Sequence, residues 1–257
     1  MQIPKHSWHL PAWTFDEEHK MNTAKAALLS ITVCALVTAG CGENDPDAIT
    51  GDYYPMGVGD YWEYIETYAN GDTPETLSHS VGGTETIDFG GELGERTVFV
   101  VDNAPDLTST KSRTYYNEDD GDKVNRLGQI VYDTDGNVTK SQNYDPGSLR
   151  FNRTRITKGE TWDESYTRYT FDEVGNQTDS VLYTYTFTIT ELHEEVVVQA
   201  GTFDCIMITR ERLPPLSEET KIYYYASGVG KVKEISEGGE SGNKMEELTS
   251  YSVGGLD

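Results

Sequence analysis

The chain has 257 residues and carries 44 acidic against 20 basic side chains, a net charge of −24. So acidic a surface repels nucleic acid and anionic lipid headgroups, which excludes a nucleic-acid partner and membrane attachment through charge. Only 3 Cys and 5 His are available to metal or nucleophilic chemistry, whereas there are 17 Tyr.

Residues 1–20 carry Trp8, Trp13, three His and the acidic run Asp16-Glu17-Glu18. An acidic patch ahead of an apolar stretch is wrong for an export signal, so translation is expected to start at Met21. Residues 21–25 then supply a basic start, and residues 26–37 an apolar core. That core is shorter than the roughly 20 residues a membrane span needs. Ala39 and Gly40 are small, and Cys41 follows them directly. This pattern resembles the lipobox of bacterial lipoproteins, although Thr38 stands where that family usually has Leu. The resemblance implies that residues 21–40 are a cleaved signal peptide. It also implies that Cys41 receives a diacylglycerol and then an amide-linked acyl chain such as palmitate. The partner so implied is the lipid bilayer. Gly42 rather than Asp after the cysteine points to the outer membrane of a Gram-negative bacterium.

Removing residues 1–40 takes away three Lys and three acids, so the charge of −24 stays with the mature chain. Cys34 leaves with the signal and Cys41 is lipidated, so Cys205 stands alone and no intramolecular disulfide forms. The core must hold the fold. Residues 41–52 are polar and turn-rich and read as a flexible tether.

From residue 53 onward the pattern is strand and turn. Residues 61–68 are rich in strand formers and are followed by Asn70-Gly71, a hairpin-turn pair. Further strands are predicted over 97–101, over 113–116 before Asp120-Gly121, and over 129–132 before Asp135-Gly136, with a return strand from Val138. The longest signal is 180–199, where Val181, Tyr183, Tyr185, Phe187 and Ile189 share one face and Thr184, Thr186, Thr188 and Thr190 the other. Strands over 205–210, 221–226, 230–235 and 245–253 complete about a dozen, spaced as in an antiparallel sandwich, barrel or strongly curved sheet. Gly59-Asp60-Tyr61-Trp62 and Gly159-Glu160-Thr161-Trp162 echo each other, but one pair does not establish a repeat.

Three segments carry a second resemblance: Tyr54-Pro55 through Gly59 to Trp62 and Tyr64, Gly201-Thr202-Phe203, and Tyr225-Ala226-Ser227-Gly228-Val229-Gly230-Lys231-Val232-Lys233. They are similar to a group of secreted bacterial proteins and lipoproteins of unknown function. The resemblance implies an all-β domain over 53–257, a curved antiparallel sheet forming a half-barrel like that of outer-membrane lipoprotein carriers, or a sandwich-like variant.

Catalytic candidates are few. Past the signal only His79 and His193 remain, and no zinc-ligand spacing or phosphate-cradling loop is present. The expectation is therefore a non-catalytic binding or interaction module without a cofactor. Tyr64, Tyr116, Tyr183, Tyr185 and Tyr224 are its candidate ligand-binding residues on the concave face, suited to an amphipathic ligand, a glycan or an envelope protein. Ca²⁺ is a secondary candidate, because Asp119 and Asp122, and Asp133, Asp135 and Asn137, place alternate oxygens around a Gly. The alternatives are a carbohydrate- or calcium-binding adhesion module, and an envelope hydrolase.

Overall fold

Strand formers punctuated by Gly- and Asp-containing turns give twelve strands and, among the described residues, no helix. The computed structural model describes residues 51–90, 92–105, 112–239 and 242–254. The signal peptide, Cys41 and most of the tether lie outside them. The strands are β1 (Tyr61–Tyr68), β2 (Glu75–Asp88), β3 (Glu95–Pro105), β4 (Arg113–Asp119), β5 (Lys123–Tyr132), β6 (Val138–Asn152), β7 (Thr161–Phe171), β8 (Gln177–Val198), β9 (Gly201–Arg212), β10 (Glu219–Ala226), β11 (Gly230–Gly238) and β12 (Lys244–Ser252).

Each strand pairs antiparallel with its neighbours in sequence, and β1 also pairs with β12 from Tyr61↔Ser252 to Tyr68↔Lys244. The sheet therefore closes into an up-and-down barrel. The all-β antiparallel class is as expected, but the half-barrel is corrected to a full one. Closure leaves no unpaired edge, which a curved open sheet would have had to protect.

Side chains alternate between lumen and outside wherever the ladder is regular. Along β8, Tyr183, Tyr185, Phe187 and Ile189 are buried inside, while Thr184, Thr186 and Thr188 lie on the outer face. Bulges interrupt the alternation, notably at Leu149-Arg150 opposite Val124-Asn125 and at Tyr224/Tyr225. A bulge leaves one residue unpaired and re-aims its neighbours.

The chain enters the barrel through a cap. Tyr53 and Met56 are buried, and the rings of Tyr53 and Tyr54 stack on Phe151 at 6.3 and 6.2 Å. Arg153 ties the cap down, donating to the Tyr54 carbonyl at 3.1 Å, to Asp52 at 3.3 Å and through two nitrogens to Asp119 at 2.8 and 2.9 Å. Outside the barrel, Phe89 from the β2–β3 connection sits over Gly128 and against Tyr116, forming a small second cluster with Leu93, Val98 and Leu127.

Candidate functional site in the barrel lumen

Below the cap the lumen holds a cavity of about 60 Å³. Its walls combine apolar cap residues (Pro55, Met56, Trp62) with Tyr64, His79, Tyr115, Asn117, Arg126, Arg150, Tyr225 and Lys231. These come from β1, β2, β4, β5, β6, β10 and β11, so the site exists only because the sheet closes. Trp62 fixes the rim by donating to the Val229 carbonyl at 2.6 Å, and the Tyr64 hydroxyl donates to the Lys231 carbonyl at 2.9 Å. At roughly 10–15 Å³ per water, the space suits a few waters or one small group. It is far below the roughly 300–1,000 Å³ of a drug-sized pocket.

Its charges fall into two sets. The first is a balanced network on β10, β11, β12 and β1. Lys221 bonds Glu234 at 2.7 Å, Lys231 bonds Glu234 at 2.9 Å and Glu246 at 2.5 Å, and Lys244 bonds Glu246 at 3.2 Å and Glu66. Three ammonium groups thus meet three carboxylates. Burial works against the Lys231 ammonium, but Glu234 and Glu246 more than offset it and its pKa lies well above the usual lysine range. Burial likewise opposes ionised Glu246, yet Lys231 and Lys244 hold its pKa below the usual carboxylate range. Glu66 differs: burial and its hydrogen bond with Glu246 raise its pKa.

The second set is unbalanced. Arg126 and Arg150 line the cavity, and among the described residues neither makes an ion pair. The Arg126 guanidinium lies 3.5 Å over the centroid of the Tyr115 ring. Its pKa is lowered by burial and by Arg150. For Arg150, burial is outweighed by the phenols of Tyr54, Tyr223 and Tyr225 and by Glu234, so its pKa is raised. A phenol carries no charge at neutral pH, and Glu234 is already bonded to two lysines. Both arginines are half-buried as whole residues, and both line the cavity. The Nε atoms of both, and Asn117 Oδ1, are buried without a hydrogen-bond partner.

His79 reports the resulting field. Its ring lies between those of Tyr64 and Tyr115, at 5.3 and 6.2 Å. Burial first, then Lys231, Arg126 and Arg150, push its pKa down to about 3, with Glu246 opposing.

Deeper in the lumen the rings of Tyr166, Tyr183 and Tyr185 stack at 5.4 to 6.1 Å. Arg210 lies 4.3 Å from the centre of Tyr185, and Glu219 pairs with both Arg210 and Arg212 at 2.7 and 3.1 Å. This layer is packed, and its two guanidiniums share one carboxylate.

Of the tyrosines singled out in the sequence, Tyr64 lines the cavity, and Tyr183 and Tyr185 are in the lumen but sealed in the stack. Tyr116 and Tyr224 point to the outer side of the wall, so the five do not form one surface. The concave face expected to carry the ligand is the inside of a closed and largely filled barrel.

The acidic loops also part company. Asp119 is bonded to Arg153 and caps Gly121, and the Asp122 amide donates to Asp120. Asp133 accepts from the amides of Asp135 and Asn137 at 2.9 and 2.8 Å and from the Asn137 side chain at 3.2 Å, which holds its carboxyl below the usual range. Successive hairpin turns of an up-and-down barrel lie at opposite ends, so these loops cannot share an ion. Among the described residues no group of three or more His, Cys, Asp or Glu is placed to hold a metal. His193 is exposed on the outer wall, 2.9 Å from Asp204.

Sequence reasoning missed Arg126, Arg150 and Lys231 as site residues, and it grouped Asn117 with the acidic loop of Asp119 and Asp122 rather than with the lumen. The signal available was cationic residues inside strand patterns, but bulges beside Arg126, Arg150 and Lys231 conceal which way they face.

No protein-family model and no curated protein matches the chain. Two solved structures are similar to it. One, from Bacteroides fragilis, is described as an exported protein with a YmcC-like fold; it shares 12% identity, with a TM-score of 0.47 over 79% of this chain and 100% of that one. The other, from Parabacteroides distasonis, is described as a lipoprotein and shares 15% identity, with a TM-score of 0.46 over 79% of this chain and 99% of that one.

Proposed function

We propose that the chain is a membrane-anchored envelope lipoprotein whose barrel is a non-catalytic binding module, with its ligand, or one end of it, held in the lumen cavity. The observation that carries the reading is the set of buried polar atoms without protein partners in residues lining one cavity, namely Arg126 Nε, Arg150 Nε and Asn117 Oδ1. Each such atom costs about 1–3 kcal/mol when left unpaired, and three around one space call for a polar guest. The cavity admits a small molecule or the polar end group of an amphipathic ligand or glycan.

Anchoring through acylated Cys41 rests on the lipobox pattern. The outer wall supports it, because a barrel that spans a bilayer needs an outward apolar band about 25 Å tall. Among the described residues the exposed large apolar side chains are scattered: Val58, Val174, Leu182, Val197 and Tyr251. Two or more acyl chains hold a protein firmly where one does not.

Native mass spectrometry of the full chain, expressed in a Gram-negative host and extracted from its membranes, tests both parts. The expected spectrum shows cleavage before Cys41, diacylglycerol on its sulfur, and a small non-covalent ligand released on unfolding. An unmodified Cys41 would sink the anchoring. No retained ligand, with no thermal stabilisation from a library of small polar molecules, would sink the binding role.

A further inference from the structure

We infer that the lumen cavity is a site for a protonated oxyanion, of which hydrogenphosphate is the simplest, held between the guanidinium groups of Arg126 and Arg150. The inference rests on the lumen-binding reading above and names the chemistry of its ligand.

Lys221, Lys231 and Lys244 are already paired with three carboxylates, so the cavity keeps two guanidiniums that have no ion-pair partner among the described residues. Burying unpaired ions is expensive unless something of opposite sign joins them. Guanidinium forks match oxyanions, donating two parallel N–H bonds to adjacent oxygens. Tyr225 and Tyr115 line the same space as the two arginines, with the Arg126 guanidinium stacked 3.5 Å over the Tyr115 ring. Asn117 Oδ1 adds an acceptor with no donor. A fully ionised carboxylate cannot fill it, whereas the O–H of hydrogenphosphate or of a phosphate monoester can. The volume of about 60 Å³ limits the guest to one such group. The surface charge of −24 opposes an anion's approach but is screened beyond about 8 Å at physiological salt, whereas the guanidiniums act at contact.

The test is isothermal titration of the detergent-solubilised full chain, exchanged into phosphate-free HEPES, with inorganic phosphate, methyl phosphate and, as background, chloride. Saturable 1:1 binding of phosphate over the chloride background is expected. Arg126→Gln and Arg150→Gln should each weaken it by roughly tenfold or more, and Asn117→Ala by less. Arg150→Lys, which keeps the charge and loses the fork, guards against a variant that fails to fold and should bind with intermediate affinity. Phosphate should raise the melting temperature of the wild type and not that of Arg126→Gln. Binding of methyl phosphate as well would identify the phosphate end of a larger ligand, and its exclusion the free ion. The inference is overturned if phosphate gives no saturable heat, or if both Gln variants bind it as the wild type does. Should phosphate fail while a neutral small molecule shifts the NMR signals of His79 and Tyr64, the oxyanion is wrong and the binding module stands. If nothing binds, both fall.

Discussion

His79 is the residue that senses the lumen most directly. Its pKa is about 3 in the fold against an ordinary 6.5, so between those values the unfolded chain holds one more proton than the folded one. Stability from this group is complete above pH 6.5 and falls as pH drops, by about 1.4 kcal/mol per pH unit. Glu234 and Glu246, with lowered pKa values, add to acid lability only below about 4.5. Glu66, with a raised one, works the other way above it. Denaturant titrations at pH 7 and pH 5 should therefore show a smaller acid loss for His79→Gln than for wild type; equal losses would place His79 in contact with solvent. Trp62 offers a second test at this scale. Trp62→Phe keeps the ring in the rim but strands the Val229 carbonyl, and should cost about 1–3 kcal/mol in urea unfolding.

Among the elements, the echoed turns before β1 and β7 have the same construction. Gly59 donates to Val81 O and Asp60 O accepts from Val81, as Gly159 donates to Ile189 O and Glu160 O accepts from Ile189. Each then opens a strand with a buried Trp, Trp62 or Trp162, and the two strands stand six apart in a ring of twelve. Both glycines have positive φ, +95° and +81°, and an added Cβ would meet nothing. Gly59→Ala and Gly159→Ala should thus each cost about 1–2 kcal/mol from backbone strain alone; a much larger loss at either would mean the turn also carries packing. This is the level at which the sequence was most legible. Alternation in 180–199 foretold β8 and its inward Tyr183, Tyr185 and Phe187, because β7 pairs with that part of β8, from Asp179 to Thr188, without a register shift. The same logic stalled where bulges reverse the facing: adjacent Tyr115 and Tyr116, or Tyr224 and Tyr225, divide between lumen and exterior in a way a period of two leaves open. It could not see Arg150 at all, since a bulge residue belongs to neither phase.

For the molecule as a whole, closure matters most. The β1–β12 ladder joins the two ends of the domain, and it alone turns a meander into a vessel with an inside. No local signal announces it, because the paired residues are far apart in sequence and each strand reads the same in an open sheet. Removing residues 244–257 should expose the edges of β1 and β11 and leave β1 Glu66 and β11 Lys231 without Lys244 and Glu246. Losing one side of buried ion pairs costs about 3–5 kcal/mol, so the truncated chain should aggregate or fail to show cooperative unfolding by circular dichroism. A cooperative, monomeric truncation would mean the sheet is stable open. Closure also gathers Arg126 and Arg150 around one space, where neither has an ion-pair partner among the described residues. The most direct measurement of that claim is an anomalous difference map from crystals soaked in arsenate, an oxyanion of phosphate-like shape that keeps an O–H near neutral pH. The account predicts a peak in the lumen roughly 4 Å from both guanidinium groups. Arsenate confined to the outer surface, with only water between Arg126 and Arg150, would contradict it.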